Sequence, residues 1–391
     1  MTMELISEIL AHAADLTKIR RDIHAHPEIG FHEHRTAAIV AARLAEWGVE
    51  VHRGLGGTGV VGVIRGNRPG RRIGLRADMD ALPMTEATGA IHASVNPGAF
   101  HGCGHDGHTT MLLGAARYLA STRRFAGDVV LIFQPAEEGV GGARAMIADG
   151  LFSRFPCDEI YGLHNWPGAP LGEITVKPGV ALAASDQFDI RIQGRGAHGA
   201  MPHQAADPIM AATAIAQALQ TIVSRNVEPM RTAVVSVTML HAGSAYNVIP
   251  DVATLGGTIR TFDTVTRALV AERLATIAQA VGAGFGVEAE AIITPRFPAV
   301  VNGQGESRAA IAIARDLVGP DLARVVDQPV SGSEDFAEML AVVPGAFLFL
   351  GQGEGPALHN PRYDFNDAVT PIGASLLARI AEARTGAELL P

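Results

Sequence analysis

Four apolar runs in this chain each break off into acids, histidines or glycine, and that repeated join limits the folds open to it. Arg72–Ala77 leads into Asp78-Met-Asp80, Gly127–Phe133 into Gln134-Pro-Ala-Glu-Glu-Gly139, and Glu159–Leu163 into His164-Asn165. Gly345–Leu350 leads into a glycine-rich loop carrying His359. Runs of this length read as buried strands, and the intervals between them have helical spacing. The expectation is an α/β sheet, in which ligands lie beyond the carboxyl ends of the strands. The acids and histidines fall where that rule wants them.

The densest chemistry is in Phe100-His-Gly-Cys-Gly-His-Asp-Gly-His-Thr-Thr-Met111, where Cys103, His105, Asp106 and His108 lie among glycines that allow a tight backbone path. An unpaired cysteine beside histidine and aspartate points to a metal ion, and the apolar run Thr109–Ala120 predicts a helix that anchors this loop.

Composition narrows the context. At 391 residues the chain exceeds the size at which a single core usually keeps growing, so two domains are expected. A hydrophobic share of 48% with 18% charged residues belongs to a globular protein. A net charge of -9 without a basic run argues against nucleic acid and anionic membranes as partners. Two cysteines cannot build a disulfide framework, so a reducing compartment is expected. The N-terminal segment carries acids where a signal peptide would carry bases, and no apolar run is long enough to span a bilayer, which together read as cytoplasmic.

Residues 3–25 have helical apolar spacing, closed at Pro27, and a further helix is expected at about 34–47. His24, His26, His32 and His34 lie close together between them. They lack a neighbouring cysteine or tight loop and read as solvated or supporting histidines rather than a metal site. Gly54-Leu-Gly-Gly-Thr-Gly59 matches a dinucleotide fingerprint literally, but Val60–Ile64 after it reads as a strand where that fingerprint needs a helix. It is therefore expected to be a turn between strands.

The segment 184–295 has its own rhythm: strand (Gln187–Gln193), helix (Pro208–Val223), strand (Thr232–Leu240), strand (Val252–Arg260), helix (Val265–Ala280), strand (Val287–Thr294). That βαββαβ order is ferredoxin-like and suits an inserted domain. The organisation expected is a discontinuous catalytic domain, 1–183 and 296–391, with a mixed sheet flanked by helices, and an inserted dimerisation domain at 184–295.

The strand-end residues together are Cys103, His105, Glu137, Glu138, His164 and His359, a donor set suited to a borderline-soft divalent ion. Six donors are too many for one tetrahedral ion but suit two ions sharing a ligand. Adjacent carboxylates Glu137 and Glu138 point different ways from a loop, so one can bind metal while the other serves as general base.

These motifs resemble the M20 metallopeptidase family, in particular its aminoacylase-like amidohydrolase branch. They are Leu75-Arg-Ala-Asp-Met-Asp-Ala-Leu-Pro83, His101-Gly-Cys-Gly-His-Asp-Gly-His108, Phe133-Gln-Pro-Ala-Glu-Glu-Gly139, Gly162-Leu-His-Asn-Trp-Pro167 and Gly196-Ala-His-Gly-Ala-Met-Pro-His203. Asn247-Val-Ile-Pro250, Ser333-Glu-Asp-Phe336 and Leu358-His-Asn-Pro-Arg-Tyr-Asp-Phe365 complete the set, which runs nearly end to end. One departure is Gly102, where the branch usually carries alanine; it is expected to add backbone freedom beside Cys103 and removes no ligand.

The resemblance implies that Cys103, His105, Glu138, His164 and His359 bind two divalent ions (Zn2+, Mn2+, Co2+ or Ni2+) and that Glu137 is the general base. It implies that His198 reaches the active site of a partner subunit in a homodimer and stabilises the oxyanion. Asn247 and Arg260 would lie towards the substrate carboxylate, for which a guanidinium is a natural bidentate partner; a solvated strand-end charge is the plain alternative for Arg260. Asp80 resembles the acid that orients a metal-binding imidazole. Asp78 and Asp106 read as structural or as supports behind a ligand rather than as ligands, and Cys157 as a packed thiol. The implied reaction is hydrolysis of an N-acyl amino acid to an acid and a free amino acid. A dipeptidase or carboxypeptidase with the same metals is the alternative, and a non-enzymatic metal-binding protein a weaker one.

Overall fold

The computed structural model describes residues 3–386. The chain divides into two compact units: one holds the chain up to Ala181, Val300–Pro329 and the chain from Glu334 onward, and the other holds Leu182–Ala299 with Val330–Ser333. The short return piece belongs to the second unit because its backbone fastens to that unit's first residues: Ala183 N donates to the carbonyls of Val330 at 3.2 Å and Gly332 at 3.0 Å.

The first unit opens with helices α1 (Ser7–Leu10), α2 (Ala13–Ala25) and α3 (His34–Glu46). Apolar spacing predicts one helix over 3–25, and the structure breaks it at Ala11–His12. Ile9 and Leu16 stay buried across that turn, so periodicity alone does not register it. Strands β1 (Glu50–Leu55), β2 (Gly59–Arg65), β3 (Arg72–Asp78), β4 (Asp128–Gln134), β5 (Glu159–Trp166) and β6 (Ile174–Val176) follow, with helix α4 (His105–Thr122) between β3 and β4. β1 and β2 form an antiparallel hairpin, so Gly54–Gly59 is a turn between strands, as its context predicts.

With Gly345–Gly351 and Ala323–Val325 these strands make an eight-stranded mixed sheet, in the order β1, β2, β4, β3, β5, 345–351, β6, 323–325. The adjoining strands β4, β3, β5 and 345–351 are mutually parallel, so their carboxyl ends open on one edge. These are the four runs that end in acids, histidines or glycine. α4 lies in the middle of the core, with 15 of its 18 residues buried. It packs on Thr370–Arg384, where Gly373 allows close approach: a Cβ there would fall 2.0 Å from Met111 Sδ. The central strands β3, β4 and β5 are buried almost throughout, so both faces of the sheet are covered there.

The second unit is a four-stranded antiparallel sheet ordered 233–242, 252–261, 184–193, 288–297. Helices Pro208–Thr221 and Thr264–Gly284 cover it, each capped at its start: Asp207 accepts from Ile209 N and Asp263 from Thr266 N. Phe188, Ile190 and Ile192, alternating along the central strand, meet Ile215 and Leu219 of one helix and Val270 and Leu274 of the other. Element order is therefore βαββαβ. Among the described residues no helix is long and apolar enough to cross a membrane.

Candidate metal centre

The helix that anchors the Cys103 loop starts earlier than its apolar run, at His105. Gly104 makes this start: it sits at φ 91, a left-handed conformation open to glycine at little cost, and turns the chain from Cys103 directly into the first helical turn. Asp106 in that turn complements the helix dipole. His105 is thus on a rigid helix while Cys103 is on the loop before it.

His105 is fixed through Asp80, whose Oδ1 lies 3.2 Å from His105 Nδ1. That leaves His105 Nε2 buried with no hydrogen-bond partner. Asp80 Oδ2 accepts the backbone N–H of Glu138 at 3.0 Å, and Glu138 Oε1 is likewise buried without a partner. His164 lies at the end of β5 and donates from Nδ1 to the Asn165 carbonyl at 2.7 Å, so its Nε2 lone pair faces Cys103 Sγ at 3.5 Å. His359 Nε2 is 3.4 Å from Glu138 Oε1, and its backbone N–H donates to the Gly102 carbonyl at 2.8 Å. His359 adopts φ 62, an uncommon conformation for a side-chain-bearing residue.

Two donor triads emerge, Cys103–His105–His164 and Cys103–Glu138–His359, each with its ligand atoms within 4.8 Å of one another and with Cys103 common to both. Orphaned buried donors of this kind are costly unless something binds them, and a thiolate, imidazole and carboxylate set fits divalent ions. The residues present therefore fit a two-ion centre.

Glu137 is buried beside this set, with Oε1 3.4 Å from Asp335 N. Burial, reinforced by the Glu334, Glu138 and Asp335 carboxylates, raises its pKa well above the ordinary carboxylate range. Burial also raises the Cys103 thiol and lowers His164. Beneath Glu137 lies an ion network that sequence reasoning left without a role. Buried Arg76 reaches Asp78 at 2.8 Å, Glu334 at 2.7 Å and Asp335 at 3.1 Å, and donates from Nε to Gln134 Oε1 at 2.8 Å. Ser333-Glu-Asp-Phe336 signalled it as a motif, but nothing in spacing says that its acids share one arginine. Asp78 also accepts from His108 Nδ1 at 2.6 Å, and both His108 nitrogens are engaged, the other with Asn165. Asp78 is thus committed to Arg76 and His108.

The early histidines divide. His32 and His34 are exposed, and His26 bonds the Asp22 carbonyl. His24 is fully buried rather than solvated, with Nδ1 2.8 Å from Asp106 Oδ2. His24, His92 and Asp364 cluster closely enough to hold an ion. Arg20 already occupies that neighbourhood, 3.4 Å from His92 and 3.3 Å from Asp364, so the protein supplies the cation itself.

In the second unit His198 and Asn247 lie together. His198 pairs with Val248 in a two-stranded piece, and Gly199 N donates to the Asn247 carbonyl at 2.7 Å. Both side chains are exposed, and His198 Nδ1 accepts from Ala200 N at 3.1 Å, leaving Nε2 outward. Arg260 is separate, half-buried on the strand 252–261, where it bonds Thr258 Oγ1 and the Ile259 carbonyl. Among the described residues it has no carboxylate within ion-pair distance, and burial lowers its pKa.

The sequence profile of peptidase family M20/M25/M40 matches residues 74–383. The chain is 43% identical to the hippurate hydrolase of Campylobacter jejuni, over 97% of this chain and 99% of the relative. It is 36% identical to thermostable carboxypeptidase 2 of Saccharolobus solfataricus, over 94% of each. Its structure matches that of Bacillus subtilis YXEP protein, described as a dinuclear metal binding peptidase, with a TM-score of 0.83 and 34% identity over 97% of this chain and all of the other.

Proposed function

Because the chain belongs to peptidase family M20/M25/M40, we propose that it is a metal-dependent amidohydrolase that splits N-acyl amino acids into a carboxylic acid and a free amino acid. The observation that carries this reading is the pair of donor triads sharing Cys103, with the buried carboxylate of Glu137 beside them. A closed structural site would have no use for that extra carboxylate. Cys103, His105, Glu138, His164 and His359 would hold two divalent ions, of the Zn2+, Mn2+, Co2+ or Ni2+ type. When bound, such ions supply Lewis acidity that polarises the scissile carbonyl and acidifies water.

The chain's own residues do the rest. Asp80 fixes the His105 tautomer and the Glu138 backbone together. Glu137 takes the proton of the attacking water and delivers it to the leaving amine, a task favoured by its raised proton affinity. His198, extended from a partner subunit, donates to the developing oxyanion, an interaction worth roughly 3–4 kcal/mol where such donors are preorganised. Arg260, half-buried and with no carboxylate within ion-pair distance among the described residues, receives the substrate carboxylate, with Asn247 contributing to the same group. The homodimer forms through the second unit, whose edge strand 233–242 leaves Met239 and Leu240 nearly half exposed. The need to keep Cys103 reduced favours the cytoplasm.

Carboxypeptidase activity is a second reading, favoured by the Saccharolobus relative. One experiment addresses both. Chelated protein is reloaded with each metal and assayed on N-acetyl and N-benzoyl amino acids and on free dipeptides. Metal-restored turnover of the acylated substrates is expected; turnover confined to dipeptides selects the second reading, and full activity of metal-free protein overturns both.

A further inference from the structure

The loop that carries Glu137 is held in place by a residue distant in sequence and without an assigned role. Ala136, immediately before Glu137, sits at φ 53, in the left-handed region that side-chain-bearing residues rarely adopt without support. Its N–H donates to Glu33 Oε1 at 2.8 Å. The same oxygen accepts from Phe31 N at 3.0 Å, and Phe31 is itself left-handed at φ 65. Thr58 Oγ1 donates to the other oxygen, Oε2, at 2.5 Å. Glu33 is fully buried, so all three donors converge on a carboxylate that water does not reach.

The backbones on either side leave no slack. A Cβ at Gly30 would fall 3.1 Å from both Cα and Cβ of Ala136, so the turn before α3 lies directly on the Glu137 loop. The same turn is fastened to the segment after Asp80, since Ala81 N donates to the Glu28 carbonyl at 2.8 Å. On the far side, the Ala136 carbonyl accepts from Gly141 N at 3.1 Å and Gly142 N at 2.9 Å. With both its N–H and its C=O committed, Ala136 has one available direction, and that direction sets where Glu137 points.

We infer that Glu33 is a positioning residue for the reaction: by accepting the Ala136 N–H it holds the left-handed turn that aims Glu137. This rests on the proposed role of Glu137 as proton acceptor. The requirement is for an acceptor oxygen rather than a charge. A glutamine at this position can turn its carbonyl to the two amides and its NH2 to the Thr58 hydroxyl, whereas a residue without an acceptor leaves Ala136 free to relax to negative φ.

The test measures kcat, KM and metal content of reloaded Glu33→Met, Glu33→Gln and Glu137→Gln on an N-acyl amino acid the parent cleaves. Expected are a kcat about ten-fold or more lower in Glu33→Met, with KM and metal content near the parent, and a kcat within about three-fold of the parent in Glu33→Gln. Adding Ala136→Gly to Glu33→Met should recover part of the loss, because glycine holds positive φ without help. If Glu33→Met does not fold, Glu33→Asp, which withdraws the oxygen by one methylene, replaces it with the same expectation. Parent-like kcat in Glu33→Met overturns the inference, as do equal losses in the Met and Gln variants or a loss that follows metal content. Turnover retained by Glu137→Gln overturns the underlying reading of Glu137 instead, so the two failures are told apart.

Discussion

Asp80 braces two donors at once: one carboxylate oxygen meets His105 Nδ1 at 3.2 Å and the other accepts the Glu138 backbone N–H at 3.0 Å. Loss of either contact frees a different side of the centre. Asp80→Ala should lower metal affinity by about 10–100-fold, the usual effect of removing such a support. Metal titration of the chelated protein checks it, and parent-like affinity would refute the bracing role.

Glu137 and Glu138 should fail differently. Glu137→Gln is expected to retain metal and lose turnover by at least about 100-fold, since it removes a proton acceptor and leaves the donors in place. Glu138→Gln should lose metal as well, because its Oε1 is the atom facing His359. Elemental analysis beside kcat separates them, and the opposite pattern exchanges the two roles.

Gly102 stands where the resembling branch usually has alanine, and it is not in a positive-φ conformation, so backbone freedom is not what it supplies. What it supplies is space: a Cβ there would lie 3.1 Å from two Phe100 ring atoms and 3.2 Å from Met84 Sδ. Gly102→Ala should therefore cost about 1 kcal/mol of stability through mild overpacking, with metal retained. Denaturant unfolding of the loaded protein measures this; a stability gain would show that Met84 moves aside freely.

His24 gives a pH signature. Burial alone would lower its pKa, but the Asp106 and Glu86 carboxylates overcome burial and raise it from 6.5 to about 9. A folded pKa above the unfolded one means the contribution is complete below pH 6.5 and is lost as pH rises through 9. Stability should fall by up to about 3 kcal/mol across that window, and His24→Asn should flatten the curve. Urea midpoints measured through the window decide it; an unchanged slope in the variant would remove His24 as the cause.

His198 is argued to act across a dimer, and subunit mixing tests it. Glu137→Ala and His198→Ala proteins, each inactive, are dissociated and reassembled together. Random two-fold pairing should restore roughly a quarter of parental activity if His198 serves its partner's site. Continued inactivity after verified exchange would place His198 in its own chain's site.

The sequence exposed the candidate metal-binding residues because a parallel sheet makes position along the chain equivalent to position in space. Cys103, His105, Glu138 and His164 each follow or end a central strand, and His359 follows another, so strand ends alone bring them together. The supporting shell has no such rule. Glu33 precedes a helix and reads as an ordinary helix-start acid, yet its partners Thr58 and Ala136 lie 25 and 103 residues away. Arg76 shows the same limit, with partners on its own strand and at Glu334 and Asp335. His24 reads as a solvated or supporting histidine because no cysteine or tight loop adjoins it, and the Asp106 and Glu86 carboxylates that meet it in the interior lie on other segments of the chain. Four residues, Val330–Ser333, joined the second unit through backbone bonds that side-chain pattern cannot signal.

The helix beginning at His105 is buried over 15 of its 18 residues, and this links occupancy to heat resistance. A ligand gripped by a core helix binds the folded chain and not the unfolded one, so it stabilises the fold by mass action, by about 2.7 kcal/mol when its free concentration is a hundred times its dissociation constant. The melting temperature of the first unit therefore serves as a thermometer of metal loading. A calorimetric scan, without substrate, would rank candidate metals by the grip this chain has on each.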